Sequence, residues 1–307
     1  MTEKKQDQPL IIPNTILTLI IPKEQATKAY KKSLAKLSVG VKTAGFRKGK
    51  VPTQVAEELL GSEKIIEEAL QQVVPDLYQR LIESEKKHPL TYPEFKPVSL
   101  NKEEDWKLEV HIAEKPEIKL GNYTKTVKDA KKKAAAELEK QQVEMKKHVE
   151  EAIKNGEKHD HPHEITEPQK REHVLQTIYQ ELITTVKPQI AELLVKEETR
   201  YDLDNIARRL QQLNITFEKF LEGRKMTFDQ LSTELAAGAL ARLQATFIIS
   251  AVAEEQKLTV TNKEIEAVIE KTTDEKLKSQ QMADPRYQSM LTETLLRQKV
   301  ADYLLSL

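Results

Sequence analysis

The octapeptide Gly45-Phe46-Arg47-Lys48-Gly49-Lys50-Val51-Pro52 separates two stretches of helical periodicity, and its reading orders the rest of the 307-residue chain. Its glycines permit tight or left-handed turns that a residue with a Cβ resists. Among them stand three cations, Arg47, Lys48 and Lys50, and one aromatic ring, Phe46. Such a loop offers a partner an apolar contact together with charges suited to a carboxylate or an RNA phosphate. Residue chemistry alone favours the plainer reading, a solvated basic hairpin, because short basic loops are common. A phosphate-cradling P-loop fits poorly. Val51 stands where that motif needs Ser or Thr, and Gly45 is too close to Gly49.

Working outward, Ile16 to Ile21 (ILTLII) is a short β-branched run between Pro13 and Pro22, which predicts a strand. Ala26, Tyr30, Leu34 and Leu37 then recur at helical spacing, and Gly40 marks where that helix stops. On the other side of the octapeptide, Val55, Leu59 and Leu60 predict a short helix ending at Gly61. Ser62 is a good N-cap for a helix to about Glu85, with a kink or break expected at Pro75. From Leu90 to Ile118 the pattern becomes extended. Trp106, Leu108, Val110 and Ile112 alternate with mostly polar residues, as a half-buried strand requires. A strand, helices and returning strands make an α+β domain, placed at residues 1–121.

After Tyr123 the pattern is almost purely helical, so an all-α region follows the α+β domain. Asp129 to Lys154 is rich in Lys, Glu and Ala and reads as a solvated helix or arm, within a linker placed at 122–170. From 171 to 307 several amphipathic helices are expected, enough to form a core of their own. One carries Val174, Leu175, Ile178, Leu182 and Val186. Pro188 is expected to open the next, which runs through Leu210. Leu213 to Lys225 reads as a link, Thr227 as the cap of a long apolar helix to about Leu258, and Thr261 or Asn262 as the cap of another. Asp284-Pro285 opens the last.

Composition narrows the function. Charged residues make up 32% of the chain and apolar ones 38%, with 8 glycines, which favours long amphipathic helices. Net charge is zero, so it names no polyanionic partner. The absence of cysteine excludes disulfides, thiolate metal sites and Cys nucleophiles. No unbroken apolar run reaches the roughly 18 residues that span a bilayer, so no membrane partner is expected. Met1 to Asp7 lacks the apolar core of a secretory signal, which makes a cytoplasmic protein the natural expectation.

The octapeptide resembles the signature of the trigger factor ribosome-binding domain, and it falls after a strand and a long helix, as in that family. Pro116-Glu117-Ile118 and Gly121-Asn122-Tyr123 are similar to the family's exit from the domain, and Glu172 to Glu270 resembles its helical C-terminal region in pattern. The resemblance implies a chaperone that docks on a large-subunit ribosomal protein beside the exit tunnel and shields nascent polypeptides without ATP or another cofactor. Residue by residue, Phe46, Arg47 and Lys48 would be the contacts, with Lys50 beside them, and Gly45, Gly49 and Pro52 would shape the loop. Trigger factors usually carry a prolyl-isomerase domain resembling FK506-binding proteins. Between Lys125 and Lys170 this chain has no Phe, Trp or Tyr and one glycine, Gly156, too little for that domain's sheet and aromatic pocket. The expected variant therefore lacks it, and no catalytic residue is assigned.

The remaining candidates are plainer. His159, His161 and His163 with Asp160 invite a metal but sit in a polar break around Pro162, so no metal site is assigned. Phe217, Phe220, Leu221, Met226 and Phe228 surround a helix junction together with Ile215. Such clusters are ordinarily core, but in a chaperone they could form a client-binding surface. A weak dimer is compatible with the sequence. The rival functions are a peptidyl-prolyl isomerase and a ribosome-independent holdase.

Overall fold

In the computed structural model, residues 9–47, 49–154 and 165–307 are described. The chain divides into two compact units. One comprises Ile11–Lys115 with Ala191–Arg200; the other is built mainly on Pro116–Ile190 and Tyr201–Leu307. The architecture is α+β followed by all-α, the fold class the sequence predicts.

The first unit runs β1 (Ile11–Ile12), β2 (Thr15–Ile21), α1 (Lys23–Ser38), α2 (Thr53–Leu60), α3 (Ser62–Ser84), β3 (Glu94–Ser99) and β4 (Trp106–Ile112). An antiparallel sheet is ordered β2-β4-β3, with Leu19 opposite Leu108 and Ile21 opposite Trp106. The two-residue period sends Leu19, Ile21, Trp106, Leu108, Val110 and Ile112 into one core with Ala26, Tyr30 and Leu34 of α1 and Ile65, Ala69 and Val74 of α3. Each large apolar side chain buried there contributes about 1.5–3 kcal/mol. β3 lies at the sheet edge, where Pro97 can be accommodated without a donor and the register shifts between Pro97 and Ser99.

Of the kink or break expected at Pro75, no break occurs: α3 runs through it from Ser62 to Ser84. The lost hydrogen bond and ring clash cost about 3 kcal/mol in a free helix. They are offset because Ile65, Ala69 and Val74, with Leu77 and Leu81 beyond the proline, all pack into the same core. The N-cap of α3 is Gly61 at φ +77°, and Ser62 is the first helical residue.

The helical unit runs α4 (Tyr123–Lys154), α5 (Glu167–Val186), β5 (Ile190–Ala191), α6 (Glu192–Gln212), α7 (Phe217–Arg224), α8 (Phe228–Glu255), α9 (Asn262–Ile269), α10 (Glu275–Ala283) and α11 (Pro285–Ser306), with the Ala191–Arg200 portion assigned to the first unit. Tyr123, Val127 and Ala130 of α4 share a core with Ile178 and Leu182 of α5, Ile248 and Val252 of α8, and Val300 and Leu304 of α11. The first turns of α4 are therefore structural rather than solvated. A second cluster joins Ile265 and Ile269 of α9 to Leu291 of α11. Helix starts follow the sequence signals: Thr227 with Gln230, and Thr261 with Glu264, form capping boxes, and Asp284 caps α11 ahead of Pro285.

Three further expectations change. Pro188 does not open α6, which starts at Glu192; instead its carbonyl accepts a 2.8 Å bond from the buried Gln244 amide. The supposed link 213–225 contains α7, capped by Thr216. Among the described residues α8 is long and apolar enough, by length and composition, to cross a membrane. Arg242 and Gln244 break its apolar run, which is why the sequence shows no unbroken span. Its Ile248, Ile249 and Val252 are committed to the core of the helical unit.

Candidate functional site

The loop at 45–52 is built by its glycines. Gly45 stands at φ +85° and Gly49 at φ +77°, the left-handed region where a Cβ is strained. Two turns close around them: Phe46 N–H donates to Thr43 O at 3.4 Å and Lys50 N–H to Arg47 O at 2.9 Å. Val51 is buried and anchors the C-terminal base, and Pro52, at φ −56°, is the N-cap of α2.

Of the side chains expected to make the contact, Phe46 is 45% exposed. Arg47 and Lys50 are exposed and form no ion pair among the described residues. The assignment of Lys48 falls outside the described residues. What remains is a pinned, cationic turn with a half-exposed ring at its tip.

The apolar cluster assigned to client binding is gathered at the start of α7 and α8. The rings of Phe217 and Phe220 lie 6.0 Å apart, as do those of Phe217 and Phe228. The Arg224 guanidinium sits 5.7 Å from the Phe220 ring and pairs with Glu234 at 3.1 Å. No residue of α7 is buried, Phe228 is 50% exposed, and Leu221 and Met226 are only partly covered. The cluster is therefore an open aromatic patch rather than core. Leu213 and Ile215 flank it in the chain and are also exposed; Leu213, at the end of a helical pattern, carried no signal that sequence reading could use.

The histidine-rich segment 159–163 lies outside the described residues, and among those described no group of His, Asp or Glu is arranged to hold a metal. His111 is buried beside Glu109, 3.2 Å away, within the sheet. His173 of α5 lies 3.2 Å from Glu137 of α4.

Two family models cover the chain in tandem. "Bacterial trigger factor protein (TF)" matches residues 5–157, and "Bacterial trigger factor protein (TF) C-terminus" matches residues 159–306. The chain belongs to the trigger factor family. One residue separates the two matches, so a domain of about 100 residues has no room between them, and this member lacks the intervening isomerase domain. Curated relatives include the trigger factors of Staphylococcus aureus strains JH9 and Newman, each 31% identical over 130 residues. Those matches cover 42% of this chain but 28% of each relative, so the chain spans under a third of the curated relatives it matches. A solved structure described as "Promiscuous Substrate Recognition in Folding and Assembly Activities of the Trigger Factor Chaperone" aligns over 99% of this chain and 98% of its own. Its TM-score is 0.57 at 15% identity, a likeness of fold.

Proposed function

We propose that this chain is a cytoplasmic, ATP-independent chaperone that docks at the large ribosomal subunit near the exit tunnel and shields emerging polypeptides. The observation that carries the reading is the 45–52 turn, which holds Phe46 and Arg47 exposed in a chain matched by trigger factor models over nearly its whole length. The mechanism is binding rather than catalysis. Docking raises the local concentration of the chaperone near each nascent chain. The open Phe217–Phe220–Phe228 patch then covers apolar client segments at about 25 cal/mol per Å² of apolar area removed from water. Rings held at a helix junction can meet many client sequences, because an apolar contact asks for area rather than a particular side chain.

The test is co-sedimentation with ribosomes, comparing the parent chain with a variant carrying Phe46→Ala, Arg47→Ala and Lys48→Ala. Loss of pelleting with unchanged thermal stability is expected. Undiminished pelleting would remove the docking loop from the account and leave a ribosome-independent holdase.

A further inference from the structure

The 45–52 loop runs into α2, a short helix with little of its own to hold it in place. α2 is 8 residues long, and Ala56 alone of them is buried, with Leu60 partly covered against the core. So short a helix is not stable by itself, and its position is set by what it touches. Among the described residues, Glu57 is the only side chain of α2 that makes a hydrogen bond or an ion pair.

The Tyr30 hydroxyl, on α1, donates to the Glu57 carboxylate at 2.7 Å, and the Lys102 ammonium donates to the same oxygen at 2.5 Å. Lys102 also stands 4.4 Å from the centre of the Tyr30 ring, a cation–π contact that joins the three groups into one cluster. Both partners of Glu57 are themselves placed. The Tyr30 ring is buried in the core of the first unit. Lys102 lies in the turn between β3 and β4, where the Asn101 side chain accepts from the Glu103 N–H at 3.1 Å. The Lys102 hydrogen bond, and after it that of Tyr30, holds the Glu57 carboxyl below its ordinary range, so it is ionised at neutral pH and its bonds are charge-assisted. Glu57 and Lys102 are both part-exposed, so the pair adds little to global stability and acts locally. The other end of the loop leaves α1, the helix that carries Tyr30, so one cluster ties together the helices on both sides of the loop.

We propose that Glu57 is a positioning residue for the 45–52 loop: by clamping α2 to Tyr30 and Lys102 it keeps Phe46 and Arg47 preorganised for a partner, a role that rests on the docking at the ribosome proposed above. A loop ordered before it binds loses less freedom on docking, and affinity rises without any new contact. The sign of the effect separates this role from electrostatics. Glu57→Ala removes a negative charge beside a cationic loop, which by charge alone would strengthen attachment to an anionic ribosome. Loss of positioning weakens it.

Full-length variants are titrated against ribosomes by pelleting and checked by circular dichroism. Glu57→Ala should stay folded and bind about fivefold more weakly. Glu57→Gln keeps an acceptor for Tyr30 and Lys102 and should restore affinity to within about twofold of the parent. Glu68→Ala is the charge-matched control. It breaks the 2.6 Å pair between Glu68 of α3 and Lys36 of α1, which does not involve α2, and should cost no affinity. The chain has no cysteine, so a nitroxide attached through Ala44→Cys reports the loop alone. In the free protein its motion should quicken with Glu57→Ala and not with Glu57→Gln or Glu68→Ala. A parent chain that does not pellet would overturn the docking reading and the purpose assigned to Glu57 with it. With a parent that pellets, equal binding by Glu57→Ala, an equal loss in Glu68→Ala, or label motion unchanged by Glu57→Ala would overturn the positioning role alone.

Discussion

Tyr123 and Tyr303, 180 residues apart in the chain, bring their hydroxyl oxygens within 3.2 Å, and Gln256 donates to the Tyr123 hydroxyl at 2.8 Å. The contact ties the first turn of α4 to α11 inside the helical core. Burial, reinforced by the neighbouring Tyr303 hydroxyl, pushes the Tyr123 phenol well above its ordinary range, so it stays neutral and able to donate. Tyr123→Ala should cost about 3–5 kcal/mol, as removal of a buried aromatic ring does. Tyr123→Phe keeps the ring and should cost about 1 kcal/mol, mainly through the stranded Gln256 amide. Urea unfolding followed by circular dichroism distinguishes the two. Equal costs would mean that the hydroxyl pair, rather than the ring, dominates.

The 45–52 loop depends on two left-handed glycines. Gly49→Ala puts a Cβ at φ +77°, where strain is about 1–2 kcal/mol, with Val39 O at 3.9 Å and no clash to add to it. Ribosome affinity should fall while the melting temperature of the helical unit stays put. If docking uses the exposed cations, affinity should also fall as ionic strength rises. Pelleting at low and high salt reads both effects, and salt-independent pelleting would argue against a cationic contact.

A capping box supplies a pH dependence. Glu264 accepts hydrogen bonds from the Lys299 ammonium and from the Thr261 backbone and hydroxyl, and these hold its carboxyl down to about 2, from an ordinary 4.5. The folded value is the lower one. Its stabilising effect is therefore complete above about pH 4.5 and fades as pH falls toward 2. Glu264→Gln should lower the melting temperature at neutral pH, and the gap to the parent chain should close in acid. A gap that is constant with pH would show that Lys299 contributes little there.

These contacts also show how much of the fold was legible. β4 announced itself because Trp106, Leu108, Val110 and Ile112 alternate and all enter one core, and β2 because its β-branched run lies between Pro13 and Pro22. Thr227 and Asp284 marked the starts of α8 and α11 because side-chain capping is a local rule. α7 was taken for a link because its apolar residues read as a junction, although Thr216 caps it in the ordinary way. α10 buries no residue, so it has no apolar stripe to betray it. The grouping of Ala191–Arg200 with the first unit is a long-range choice that no spacing encodes. Of the candidate site, the glycine turns could be read directly, whereas the exposure of Phe217 and Phe228 depends on what fails to cover them.

Without an intervening isomerase domain, catalysis of prolyl isomerisation is not expected. The protein should leave the cis/trans rate of a proline peptide at its uncatalysed value, tens to hundreds of seconds at 25 °C. A protease-coupled assay on repurified protein measures it, and a reproducible acceleration would require a catalytic pocket elsewhere in the chain.

The aromatic patch gives the sharpest test of chaperoning, because surface and core make opposite predictions. Neither Phe217 nor Phe228 is buried, and each contacts the other at 6.0 Å between ring centres. Replacing both with Ser in the full-length chain should cost no more than about 1 kcal/mol of stability, since little area is lost from any core. If the same rings hold clients, suppression of aggregation should fall severalfold. High salt should not restore or further reduce it, because the contact is apolar. The full chain is the right vehicle. A fragment beginning at residue 172 would strip Tyr123, Val127 and Ala130 from the core they share with α5, α8 and α11 and confound holdase activity with unfolding. Light scattering of a denatured client, diluted into parent or variant protein at matched excess, gives the answer. A variant that stays folded and suppresses aggregation as well as its parent would place the client surface elsewhere.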